Sequence, residues 1–171
     1  MVAPHALAAY TVTLLFHGDS CLLLERSSDR ARFPGQWTGI GGRVESHELA
    51  DLTAAARREL AEETGLPPHD VPPLVLRRAV LQHRPSRPEL TLLLYFTGEL
   101  PQRLALPPGR EGAFHWIRAT ELPQLPLIDN ARIVLPLLVA DRARDPAGNE
   151  PVRLGVARWN PNGTIAEIVW S

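Results

Sequence analysis

Gly41-Gly42-Arg43-Val44-Glu45-Ser46-His47-Glu48, followed nine residues later by Arg58-Glu59-Leu60-Ala61-Glu62-Glu63-Thr64-Gly65-Leu66, is the stretch that decides how this chain reads. From Leu49 to Thr64 the Ala, Leu, Arg and Glu content is strongly helical. Leu52, Ala56 and Leu60 recur at i, i+4 and i+8 and form the expected buried stripe. Gly65 is the expected C-terminal stop, and Pro67-Pro68 prevent continuation. Glu59, Glu62 and Glu63 stand at i, i+3 and i+4, so their carboxylates share one helix face. They also occupy the last turns, where the helix dipole disfavours negative charge. Repulsion and dipole mismatch each cost roughly a few tenths of a kcal/mol. A hard divalent cation reverses that balance, because Mg²⁺ takes oxygen ligands and neutralises clustered carboxylates. Without one, the triplet is a solvated acidic face partly offset by Arg58, which reaches Glu62 at i+4. The adjacent glycines let backbone approach a ligand closely.

Around this centre the rest of the chain is strand-rich. Tyr10–Phe16 and Cys21–Arg26 read as a hairpin turning at Gly18-Asp19, and Ser27–Gly42 as a loop. After the helix come two β-rich runs, Leu74–Gln82 and Glu89–Leu100, joined by a proline-rich turn. Ala113–Ile117 reads as a short strand, Thr120–Leu125 as a helical turn, and Asn130–Ala140 as a second helix in which Pro136 is a candidate kink. Val152–Trp159 and Thr164–Trp170 make a closing hairpin around Asn162-Gly163. The order β-β-α-β-β-β-α-β-β is that of one α+β domain spanning residues 1–171.

Composition narrows the partners. A net charge of −1 gives no general attraction to nucleic-acid polymers or anionic membranes, which leaves a small anion bound locally. All 18 basic residues are Arg, so any phosphate meets a guanidinium fork or a charged His. Cys21 is the single cysteine, no Cys/His cluster has zinc spacing, and neither a signal-peptide pattern nor a membrane-length run is present. A cytoplasmic location is expected.

The two quoted segments together resemble the Nudix box, G-x5-E-x7-R-E-U-x-E-E-x-G-U, where U is a bulky apolar residue. Gly42 and Glu48 fit its first part, and Arg58, Glu59, Leu60, Glu62, Glu63, Gly65 and Leu66 fit all of the second. The departure is a spacing of nine residues, not seven, between Glu48 and Arg58. With the extra two placed around His47–Leu52, either Glu48 or Glu45 takes the first glutamate of the box.

The resemblance implies the Nudix fold, a mixed β-sheet sandwiched between helices, and hydrolysis of a diphosphate bond with Mg²⁺, or Mn²⁺, as cofactor. It implies Gly41, Glu59, Glu62 and Glu63 as metal-binding residues, with Arg58 orienting the glutamates. Glu111, in a later loop, is the candidate for a further ligand or the general base; the choice of base between Glu59, Glu62 and Glu111 stays open. Arg26 and Arg43 are candidate phosphate contacts. Gly35–Gly42 and the C-terminal half further resemble the branch that hydrolyses oxidised purine nucleoside triphosphates such as 8-oxo-dGTP to a monophosphate and pyrophosphate. In that branch an acidic pair before the last helix reads the purine, which points to Asp129 and Asn130, with Thr11 and Thr38 beside them. Asp129-Asn130 equally suits an N-cap. Thr38 stands where the mammalian-type enzyme has Asn, and Leu127 or Ile128 where it has a stacking Trp. The alternatives are another Nudix substrate (ADP-ribose, a nucleotide sugar, a dinucleoside polyphosphate) or a nucleotide sensor without turnover. The expected partner is a small-molecule nucleotide, and the expected state a monomer or homodimer.

Overall fold

Alternation along the strands sorts apolar side chains onto two faces of one sheet, and each face is closed by a helix. The computed structural model describes residues 6–84 and 87–171. Its strands are β1 (Leu7–His17), β2 (Ser20–Arg26), β3 (Trp37–Thr38), β4 (Leu74–His83), β5 (Leu90–Glu99), β6 (Gly112–Arg118), β7 (Arg153–Trp159) and β8 (Ile165–Trp170). They join in the order β3-β2-β1-β5-β4-β7-β8, with β6 also paired to β2. The sheet is mixed: β1 runs parallel to β5 and β4 parallel to β7, while the remaining pairs are antiparallel.

Neighbouring residues point to opposite faces. Val80, Leu93 and Tyr95 pack with Val134, Leu135 and Leu138 of helix α2 (Asp129–Arg144). Ala79, Leu94 and Phe96 pack with Ala55 and Ala56 of helix α1 (Leu52–Thr64). Leu60, fully buried, closes a third cluster with Leu15, Leu22, Leu24 and Ile40. Burial of a leucine of this kind stabilises by roughly 1.5–3 kcal/mol. The α+β sandwich expected from the sequence is therefore the one observed.

The differences are local. The loop 27–42 contains β3, whose Trp37 and Thr38 pair with Glu25 and Leu24; two residues are too few for alternation to register. Pro136 lies inside a single α2, which runs on to Arg144, past the expected end at Ala140. What carries it on is tertiary: buried Asp141 accepts two hydrogen bonds from Arg78, at 2.5 and 2.8 Å. In the buried stripe of α1, Leu52 is only half-buried, while Ala55 and Ala56 are fully buried. Residues 85–86 of the proline-rich turn lie outside the described residues. Among the described residues, no helix is long and apolar enough to cross a membrane.

Candidate active site

Helix α1 is fixed at both ends by its own sequence. Asp51 caps the start, accepting from Ala54 N–H at 2.9 Å. Gly65 ends it at φ 72°, donating to the Ala61 carbonyl at 2.9 Å. That left-handed geometry suits glycine, and it holds the glutamate-bearing turns in register.

The double glycine seats itself against this helix by close approach. A Cβ on Gly42 would lie 2.2 Å from a Glu59 carboxylate oxygen, and one on Gly41 would lie 2.1 Å from the Thr11 carbonyl. Thr11 N–H donates to the Gly42 carbonyl at 2.8 Å, so β1 carries the glycines. The Thr11 hydroxyl is itself buried and sits 3.4 Å from Gly42 N, which makes it part of the scaffold.

Arg58 organises the acidic residues. Its Nε and Nη2 donate to the two Glu48 carboxylate oxygens at 2.7 and 2.9 Å. Nη1 donates to Glu59 at 2.8 Å and to Glu62 at 3.0 Å, and Nη2 also donates to the Arg43 carbonyl at 3.0 Å. Glu48, not Glu45, therefore meets Arg58. The longer spacing is absorbed by a 3₁₀ turn over Ser46–Glu48 and by exposed Leu49 and Ala50, ahead of the Asp51 cap. Hydrogen bonds from Arg58 and from the Glu45 backbone hold the Glu48 carboxyl down at about 2. A lowered carboxyl value means stabilisation that is present above the ordinary value of 4.5 and lost as pH falls through about 2. Glu48→Gln should accordingly lower the melting temperature at pH 7, and its deficit against the parent should shrink as the pH is taken from 4.5 toward 2. A deficit independent of pH over that window would contradict this role for the pair.

Glu63 differs from its neighbours. Its Oε2 is buried and has no hydrogen-bond partner among the described residues. Burial, with the nearby Glu111 and Glu59 charges, pushes its carboxyl above the ordinary value. Burial also pushes Glu59 up, against the opposing pull of Arg58. A buried carboxylate oxygen left without a partner costs free energy, and a cation would recover it. Glu111, just ahead of β6, accepts from Arg26 at 2.6 Å and from Arg30. Among the described residues no three acidic, His or Cys side chains form a ready-made metal cluster. Arginines hold Glu59, Glu62 and Glu111, whereas the free Glu63 oxygen, the Gly42 cradle and an all-oxygen donor set suit a hard divalent ion.

A cleft of about 1070 Å³ joins these parts. Of the residues singled out in the sequence, Gly41, Glu59, Glu63, Glu111, Thr11, Arg26, Thr38, Arg43, Asp129 and Asn130 all line it. Arg58 and Glu62 do not line it; Glu62 is largely exposed and turned to Arg58. Asp129 is not an N-cap: Ile128 occupies that position, and the Asp129 carboxylate accepts Ile165 N–H of β8 at 3.3 Å. Sequence reasoning missed Arg30, Arg84, Gln82 and Trp159, which also line the cleft. Arg30 and Arg84 belong to irregular segments, and Gln82 and Trp159 lie near the ends of strands that are far apart in sequence.

Comparisons with known proteins agree with this fold. Residues 4–138 match the NUDIX domain family. No curated protein sequence matches the chain. Among solved structures, a MutT protein from Bacillus halodurans is 17% identical with a TM-score of 0.73, covering 96% of this chain and 97% of that one. A MutT protein from Methanosarcina mazei Go1 is 19% identical with a TM-score of 0.67, covering 82% and 99%. The NUDIX domain of NrtR from Shewanella oneidensis, complexed with ADP ribose, is 21% identical with a TM-score of 0.59, covering 85% and 90%. These identities carry the fold and leave the substrate undecided. With four-fifths of its length matching the family and the acidic helix, double glycine and cleft in place, the chain belongs to the Nudix family.

Proposed function

We propose that this protein hydrolyses a diphosphate bond in a nucleoside triphosphate, an oxidised purine nucleotide such as 8-oxo-dGTP being the leading candidate, to give a monophosphate and pyrophosphate. The observation that carries the reading is the buried Glu63 oxygen, unpartnered among the described residues, in a cleft that Asp129 and Asn130 also line. Glu59, Glu63, the Gly41 carbonyl and Glu111 would hold Mg²⁺, with Glu62 acting at a remove through Arg58. When bound, Mg²⁺ supplies neutralisation of phosphate charge and a more acidic water.

The chain's own groups do the rest. Arg58 fixes Glu59 against the glycine loop, so the carboxylate is positioned before substrate arrives. Arg26, Arg30 and Arg43 line the cleft as forks for phosphate oxygens. Glu59 or Glu111 would take the proton of the attacking water. Tyr10, Val12, Leu24 and Ile128 give the cleft an apolar wall on which a base can lie. The Shewanella oneidensis domain holds ADP ribose on the same fold, so ADP-ribose belongs in the test with nucleotide sugars and dinucleoside polyphosphates. Incubation with such a panel and Mg²⁺, with products identified by chromatography, should give monophosphate and pyrophosphate from a purine triphosphate at the highest kcat/KM. Preference for a diphosphate derivative would overturn the substrate, and absence of turnover on the whole panel would overturn the reaction.

Asn130 supplies a narrower expectation. Asn130→Ala should lower kcat/KM for a purine triphosphate by roughly 2- to 13-fold, the range for one neutral hydrogen bond. Tripolyphosphate, which has no base, should be turned over as before. Equal loss on both substrates, with a lowered melting temperature, would leave Asn130 as a structural residue of the α2 start.

A further inference from the structure

Two more buried polar atoms in the cleft have no hydrogen-bond partner among the described residues: Gln82 Oε1 and Trp159 Nε1. They come from different strands. Gln82, next to last in β4, pairs with Thr91 of β5, and it shares a face with Val80, two residues earlier, which packs under α2. Trp159 ends β7, packs against the same cluster, and pairs with Ile165 of β8. The Arg84 guanidinium lies 5.1 Å from the centre of the Trp159 ring. Thr13 Oγ1 and Tyr95 OH are also unpartnered, but they lie off the cleft in the core.

Leaving a buried donor or acceptor unmet is costly, and filling either position with an apolar side chain would remove the cost. Trp159 Nε1–H can only donate, so its complement must be an acceptor; Gln82 Oε1 as oriented calls for a donor. A flat, largely apolar ligand that carries both a donor and an acceptor on its rim is a nucleobase. Asp129, by contrast, already spends a carboxylate oxygen on Ile165 N–H, which ties the β7–β8 hairpin to the start of α2. Trp159 lies beyond residue 138, outside the part of the chain that matches the family.

We infer that Gln82 and Trp159 determine specificity by hydrogen-bonding the edge of the nucleobase, with Asp129 positioning the hairpin that carries Trp159. This rests on the nucleotide-hydrolase reading above. The variants are Trp159→Phe, which keeps an aromatic ring and removes the N–H, and Gln82→Met, which keeps the length and removes the amide.

Calorimetric titration with 2′-deoxyguanosine triphosphate in EDTA measures binding without turnover. Each variant should bind it about 2- to 13-fold more weakly than the parent. Tripolyphosphate should bind all three proteins alike, and the melting temperatures of the free variants should equal or exceed the parent's. With Mg²⁺ the same loss should appear in KM and not in kcat. Unchanged nucleotide affinity in both variants, equal weakening toward tripolyphosphate, or no measurable nucleotide binding by the parent would overturn the inference. Weakened binding in the variants together with no Mg²⁺-dependent turnover by the parent would instead remove the reaction and leave a nucleobase-binding site.

Discussion

Glu63→Gln is expected to lower kcat by about 10²-fold or more, the scale on which positioned charged groups act in such sites. The reason is that Glu63 contributes a charge and a buried oxygen with no partner among the described residues, whereas Glu59 and Glu62 are already held by Arg58. An amide of nearly the same shape keeps the packing, so the fold should survive. Without metal it should gain stability. The Glu63 carboxyl is raised above its ordinary 4.5 by burial and by the Glu111 and Glu59 charges, so the folded state holds its proton more tightly than the unfolded chain does. Stability of the parent therefore falls as pH rises from 4.5 through the raised value, and the Gln variant lacks that penalty. In EDTA the variant's melting temperature should pull ahead of the parent's across that interval. Equal kcat with Mg²⁺ would remove Glu63 from the site.

Glu111→Gln is expected to lower kcat by roughly 10²-fold, with a stability change below about 1 kcal/mol, since its arginine pairs are partly solvated. Arg26 and Arg30 clamp the carboxylate here. Phosphate oxygens entering the cleft offer both guanidiniums an alternative partner, and their transfer would free Glu111 for its part in the reaction. Steady-state kinetics separate this from the simpler role of tethering arginines. A tether alone predicts a changed KM with kcat within threefold, and that outcome would move the search for the base to Glu59.

How much of this was legible beforehand follows from what a sequence can encode locally. The helix through Thr64 and its glycine stop follow from periodicity and residue type, although it begins at Leu52 and not at Leu49, and Glu62 turns out to Arg58 while Glu59 and Glu63 line the cleft. The strands did too, apart from two-residue β3. The length of α2 did not, because the buried Arg78–Asp141 pair that extends it joins residues 63 positions apart. Arg58 could be paired with Glu62 from spacing alone, but its grip on Glu48 depends on how the 3₁₀ turn takes up two extra residues. For Asp129 the sequence offered two roles, base reader and helix cap. The structure gives it a third, holding β8, since an i,i+36 contact leaves no trace in local pattern. Gln82 and Trp159 carried no signal at all: each looks like an ordinary strand end until the sheet brings them to one cleft.

A divalent ion held beside Glu63 in the cleft would drive diphosphate cleavage. Titrating Mn²⁺ into parent and Glu63→Gln protein, with free ion followed by electron paramagnetic resonance, tests it without recourse to any substrate. Binding to the parent should be saturable, with affinity weakened by more than about tenfold in the variant. Identical binding curves for the two proteins, or no binding to the parent, would contradict it.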